Sequence, residues 1–223
     1  MTRKAVGIAS ALTVCSIIGA ALVAGSILPD AMRLPIHWGL NGEADAFADK
    51  WTALLMPGAI VAAVSLLFYF MPVLEPRREG LARSQGLYLW GWIAILLMGV
   101  VIEFAVLAVA FGWGVSVNHL IVGAVGIMLV MIGNQLGKSR SMYLIGLRTP
   151  WTLASEEVWI KTHRLAGKLM VAGGLAMVAA ALLPLPSGLL ITVPIVAVAL
   201  IAGVSILYSF ILWRRERMDQ ASG

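Results

Sequence analysis

An all-α, polytopic membrane helical bundle of about six transmembrane helices, with both termini cytoplasmic, is the fold class this sequence predicts. Three observations predict it. Hydrophobic residues make up 61% of the 223 positions and charged ones 12%, against roughly 45–50% and about 25% in soluble domains. The apolar residues are gathered in blocks of about the length that crosses a hydrocarbon core of roughly 30 Å as helix. Lysine and arginine are also divided very unequally between alternate connections, and that bias orients a multi-pass chain.

The blocks, in order, are Val6–Leu28, Ala53–Val73, Leu87–Phe111, Leu120–Leu136, Leu165–Leu183 and Leu189–Leu212. Lipid offers no hydrogen-bond partner, so each must satisfy its backbone internally and is expected to be a helix. The first block follows Arg3 and Lys4 but is longer than the 7–15 apolar residues usual in a signal peptide, so it is read as a retained span. The fourth is the shortest, and Gly133 and Gly137 blur its end. These glycines, with Gly123 and Gly126, suit close helix packing within the chain.

The basic residues fall into the N-terminal tail, the second and fourth connections, the start of the fifth span (Lys168) and the C-terminal tail. Only Arg33 and Lys50 lie on the other side, leaving fourteen of sixteen together. That places both termini and the fourth connection in the cytoplasm. All eight tryptophans fall near predicted span ends, where amphipathic rings anchor at headgroup level. The expected organisation is a two-helix unit over 1–80 with an acidic outer loop at 29–51. A four-helix unit with an inner loop at 137–164 follows over 81–223, the two forming one continuous bundle.

Several function classes are disfavoured. The net charge of +5 is scattered over short loops rather than gathered on one face, which argues against direct nucleic-acid binding. Cys15 is the single cysteine, so no intrachain disulfide is available. No phosphate-binding glycine loop or nucleophile elbow is present. Neither a catalytic residue nor a cofactor is expected. His37, Asp45, His119 and Glu103 fall toward one side, but no compact metal-ligand spacing joins them, and no metal is expected.

Two connections are longer than turns require. The outer one, "PDAMRLPIHWGLNGEADAFADKW", carries four acids against two bases. Pro35 discourages helix before it, and Asn41-Gly42 marks a turn that would bring His37 toward Asp45. A plain solvated acidic loop is the competing reading. The inner connection contains "RTPWTLASEEVWIKTHR". Thr149-Pro150 fits an N-cap followed by proline at the first helical position. Ser155 with Glu156 and Glu157 offers a second start, from which a helix can run unbroken into the fifth span. On it Glu156, Trp159, Ile160 and His163 share one stripe, and Glu157, Lys161 and Arg164 the next. A juxtamembrane helix stitched by ion pairs accounts for those charges and leaves "GLRTPWT" unexplained.

"RTPWTLASEEVWIKTHRLAG" closely resembles the signature of the SdpI-type family of bacterial multi-pass membrane proteins, and "GNQLGKSR" and "YLIGL" resemble its lead-in. "LPIHWGLNGEADAFADKW" is similar to the small N-terminal domain of unknown function that often accompanies it. Met142 and Gly39 depart from the family pattern, standing where relatives usually carry a hydrogen-bonding side chain. The type member is an immunity and signalling protein for a secreted killing peptide. The resemblance implies a bacterial plasma-membrane protein giving immunity to, or sensing of, a membrane-active peptide. It implies ligand or partner contacts at His37, Trp38, Gly42 and Asp45 outside, facing a secreted peptide. Inside, it implies contacts at Arg148, Thr149, Trp151, Thr152, Trp159, Lys161, His163 and Arg164, facing a soluble regulator.

Glu103, in "VVIEFAV" just past the middle of the third block, is costly in lipid and must face the bundle. His119, at the head of the fourth span, and His37 are its candidate partners. A proton- or cation-coupled transporter using Glu103 is the alternative to immunity, and a membrane enzyme with an outer His/Asp site is a third reading.

Overall fold

The computed structural model describes residues 2–39 and 43–222. Six long helices dominate: α1 (Arg3–Ile27), α2 (Lys50–Leu74), α4 (Gln85–Ala110), α5 (Val117–Leu136), α7 (Glu156–Leu182) and α8 (Ser187–Ser222). All six are long and apolar enough to span a bilayer. Two short helices, α3 (Arg78–Arg83) and α6 (Pro150–Ala154), lie in the second and fourth connections, and strands β1 (Arg33–Trp38) and β2 (Ala44–Asp49) in the first.

Helices α1, α2, α6 and α7 start where short polar side chains satisfy otherwise orphaned N–H groups. Thr2 caps α1 by accepting from the Ala5 N–H. Asp49 accepts from the N–H groups of Trp51 and Thr52 and from the Thr52 hydroxyl, so β2 runs into α2 without a linker. Those bonds hold the Asp49 carboxyl below its ordinary range, the Thr52 hydroxyl contributing most.

The hairpin is the part of the fold that an all-α expectation lacked. β1 and β2 are antiparallel, with Arg33 opposite Asp49 and Trp38 opposite Ala44, and the register shifts around His37. Asn41 and Gly42, expected to turn the chain here, lie outside the described residues. Leu34 is buried against Ala24, Leu54, Val106 and Ala110 from α1, α2 and α4. That burial seats the sheet on the bundle's end.

Within the bundle α4 meets α1, α2 and α5, and α5 lies along α7. The α5–α7 approach is close enough that a Cβ at Gly133 would stand 2.8 Å from the Gly167 carbonyl oxygen. A Cβ at Gly126 would stand 2.7 Å from that of Gly174. Small residues thus serve helix contacts inside this chain. Side chains such as Leu12, Leu66, Phe70, Leu175 and Leu200 are exposed on the outside of the bundle, as a lipid-facing surface requires.

Arg3 lies over Tyr69 near the end of α2, Arg77 and Ser84 bond the segment from Arg140 to Leu153, and Ser155 bonds Glu216. The start of α1, α3, this segment and the last turns of α8 therefore share one face, the basic one. The hairpin and the α4–α5 and α7–α8 turns share the other.

Candidate functional site

The inner connection is an ordered structure built around two buried polar side chains. Glu75, the residue after α2, is 1% exposed. Its carboxylate accepts from the N–H of Arg77 at 2.9 Å, of Tyr143 at 3.0 and 3.1 Å, and of Leu144 at 2.8 Å. Backbone that would otherwise lie unpaired in this part-buried turn is satisfied by the two oxygens of one carboxyl group. Arg77 reinforces the join: its guanidinium donates to the Ser141 hydroxyl and the Leu153 carbonyl and lies 4.7 Å from the Tyr143 ring centroid.

His163 is the second centre. It is fully buried and stacked on Trp159, with ring centroids 3.9 Å apart. Its Nδ1–H donates to the Trp159 carbonyl at 2.8 Å, and Nε2 accepts from the Leu147 N–H at 2.9 Å. Both ring nitrogens are therefore engaged in one neutral tautomer. The Trp159 indole N–H reaches the Ser139 hydroxyl at 3.2 Å. Gly146 passes directly over this pair with φ +118°, where a Cβ would lie 2.7 Å from His163 Nε2 and 2.8 Å from the Trp159 ring.

Thr149 and Thr152 form a reciprocal capping box on α6, with Pro150 in its first turn; the buried Thr152 hydroxyl also donates to the Leu147 carbonyl. Trp151 packs beside Phe210 and Trp213 and donates to the Ser209 hydroxyl at 2.5 Å. Ser155 caps α7 and donates to Glu216, so α8 is tied to the same structure. Met142 is fully buried in the adjoining core, which explains an apolar residue there.

The inner residues singled out from sequence therefore divide by role. Thr152, Trp159 and His163 are interior, while Arg148, Lys161 and Arg164 are exposed. Lys161 pairs with Glu157 at 2.5 Å across one helical turn. Arg148 donates to the Tyr143 carbonyl at 2.6 Å. Glu75 was missed; its signal was a lone acid closing an apolar helix just before Pro76 and Arg77.

On the opposite face His37 Nδ1–H donates to Asp45 at 2.6 Å, both side chains being well exposed. A cleft of about 380 Å³ is lined by His37 and Trp38 of β1, Ile102 and Val106 of α4, Ile121 of α5 and Pro194 of α8. Lys50 is buried, its ammonium donating to the Leu28 carbonyl and to Asp30, each at 2.7 Å. That hydrogen bond and charge hold the Asp30 carboxyl below the usual carboxylate range. Gly42 lies outside the described residues.

Glu103 faces the interior, and neither carboxyl oxygen has a hydrogen-bond partner among the described residues. The expected pairing with His119 is not made. His119 donates from Nε2 to the Leu183 carbonyl and accepts at Nδ1 from the Ser116 hydroxyl, closing the α7–α8 turn. Among the described residues no three His, Cys, Asp or Glu side chains form a metal-binding group.

Residues 138–209 match the SdpI/YfhL protein family, and residues 11–61 match a domain of unknown function, DUF1648. The immunity protein SdpI of Bacillus subtilis (strain 168) is 28% identical over 167 residues, which is 75% of this chain and 77% of that relative. The chain is a multi-pass membrane protein similar to the SdpI/YfhL family over its C-terminal third. The SdpI/YfhL stretch contains the His163 and Trp159 stack, the capping box and the Trp151 cluster. The DUF1648 stretch contains His37, Trp38 and Asp45. Glu75 lies between the two matched regions, yet it organises the first turn of the SdpI/YfhL stretch. No solved structure matches the chain.

Proposed function

We propose that this protein confers immunity to a membrane-active peptide, with its basic face in the cytoplasm of a bacterial cell. The hairpin meets the peptide outside, and the α6 surface around Arg148 and Trp151 engages a soluble regulator inside. The reading is non-enzymatic. The observation that carries it is the pair of ordered polar surfaces at opposite ends of one bundle: the exposed His37–Asp45 pair and the turn held by Glu75 and His163. A merely solvated linker needs no buried carboxylate to shape it. The DUF1648 and SdpI/YfhL matches and the relative's name point the same way.

The test is protection of a peptide-sensitive bacterial host. His37→Ala with Asp45→Ala, and separately Arg148→Ala, should each lower the tolerated peptide concentration at least about tenfold. These side chains are exposed, so stability should move by only about 0.5 kcal/mol and membrane abundance should hold. Undiminished protection in both variants would remove these surfaces from the mechanism.

A second reading, proton- or cation-coupled transport, is favoured by the Glu103 carboxyl, which has no hydrogen-bond partner among the described residues. Immunity without transport predicts that Glu103→Leu keeps protection and raises stability by about 1–3 kcal/mol, since an unsatisfied buried polar group is removed. Thermal unfolding in detergent reads the second quantity. Proton flux in proteoliposomes that is abolished by Glu103→Gln would decide for transport instead.

A further inference from the structure

The basic face carries a cleft of about 480 Å³ between α3, the start of the inner turn and the start of α7. Its charged lining is Arg77, Arg78, Arg83 and Arg140 against Glu79 and Glu156, an excess of two positive charges. The four guanidinium groups are not equally committed. Arg77 is spent on Ser141, Leu153 and Tyr143. Arg140 donates to the carbonyls of Lys138 and Ser139 and stands 3.8 Å from Glu156. Arg78 and Arg83, both exposed, make no hydrogen bond or ion pair among the described residues.

We propose that this cleft binds the phosphate of an anionic membrane lipid, with Arg78 and Arg83 as its principal donors. Two features favour that ligand class. The net charge of the lining matches a phosphate, and guanidinium groups bind phosphate by paired, charge-assisted N–H donation. The cleft also sits at headgroup depth: α3 begins four residues after the end of α2 and finishes two before α4, so both flanking helices enter the bilayer beside it. A Cβ at Gly80 would stand 2.1 Å from the Ser141 carbonyl oxygen. The wall that would hold the phosphate is thus pressed directly onto the inner turn. A headgroup here would brace α3 against that turn at the membrane surface. This inference stands independently of the immunity reading, since it rests on charge and position alone.

The experiment uses the full-length protein in neutral detergent micelles. These are doped with phosphatidylglycerol, with phosphatidylcholine, or with inorganic phosphate and no lipid. Native mass spectrometry counts retained lipid and thermal unfolding reads stabilisation. Phosphatidylglycerol should be retained and should raise the melting midpoint, and phosphatidylcholine should not. R78Q/R83Q should need about 25-fold more phosphatidylglycerol for half-retention, at about fivefold per basic residue near an anionic lipid surface. R78K/R83K, which keeps the charge, should lose less than R78Q/R83Q. R214Q/R215Q, which removes equal charge from the C-terminal tail, should behave as wild type.

Stabilisation by inorganic phosphate through the same two arginines would support the phosphate site while assigning it a soluble anion. Equal retention of both lipids, or equal loss in the two double-glutamine variants, would overturn the site. Stabilisation by a polyglutamate peptide but by neither phosphate compound would overturn the ligand class.

Discussion

Glu75→Leu should destabilise the protein by about 2–4 kcal/mol, because three backbone N–H groups in a part-buried turn lose their acceptor among the described residues. The donors are those of Arg77, Tyr143 and Leu144, and no apolar side chain can replace the oxygens they point at. Glu75→Gln keeps the shape and one oxygen but turns an NH2 toward donors, so it should cost roughly half as much. Thermal unfolding of the purified protein in detergent measures both, and protection of a sensitive host should fail in the leucine variant. A midpoint for Glu75→Leu within about 1 kcal/mol of wild type would mean that the inner turn holds its shape without this clamp.

Gly146→Ala is the second large effect, with an expected cost of about 2–4 kcal/mol. The backbone there has φ +118°, a conformation that side chains rarely adopt. The added methyl would press on His163 Nε2 and the Trp159 ring, which are stacked, buried and hydrogen-bonded. Neither can withdraw without breaking another bond, so the turn should lift instead. Limited trypsin digestion would report this as faster cleavage after Arg148, alongside a lower melting midpoint. Digestion at the wild-type rate would show that the His163–Leu147 contact is dispensable to the turn.

The spans were legible because lipid imposes a simple rule: an apolar block long enough to cross becomes a helix. Every block read from sequence lies within one long helix to within a residue or two, and α7 does begin at Glu156. The Thr149-Pro150 start was also readable, since capping is local chemistry. What escaped depends on partners distant in the chain. Glu75 and Leu144 are 69 positions apart, and no local pattern announces that pairing. Arg77, which reaches Leu153, is hidden for the same reason. The hairpin was only half visible: Pro35 and Asn41-Gly42 marked a bend, but "ADAFAD" alternates small and charged residues too weakly to declare a strand. His119 was offered to Glu103 on sidedness alone, whereas its actual partners belong to two turns on the hairpin face.

The join between β2 and α2 has a mechanical consequence. Because Asp49 both ends the strand and caps the helix, the hairpin and α2 form one continuous strut of 25 helical residues, roughly 37 Å long at 1.5 Å per residue. Its far tip is Glu75. A rigid-body tilt of this strut at the hairpin would displace the carboxyl group that moulds the inner turn, and Pro57 and Pro72, which each remove a backbone donor from the helix, are where it would bend first.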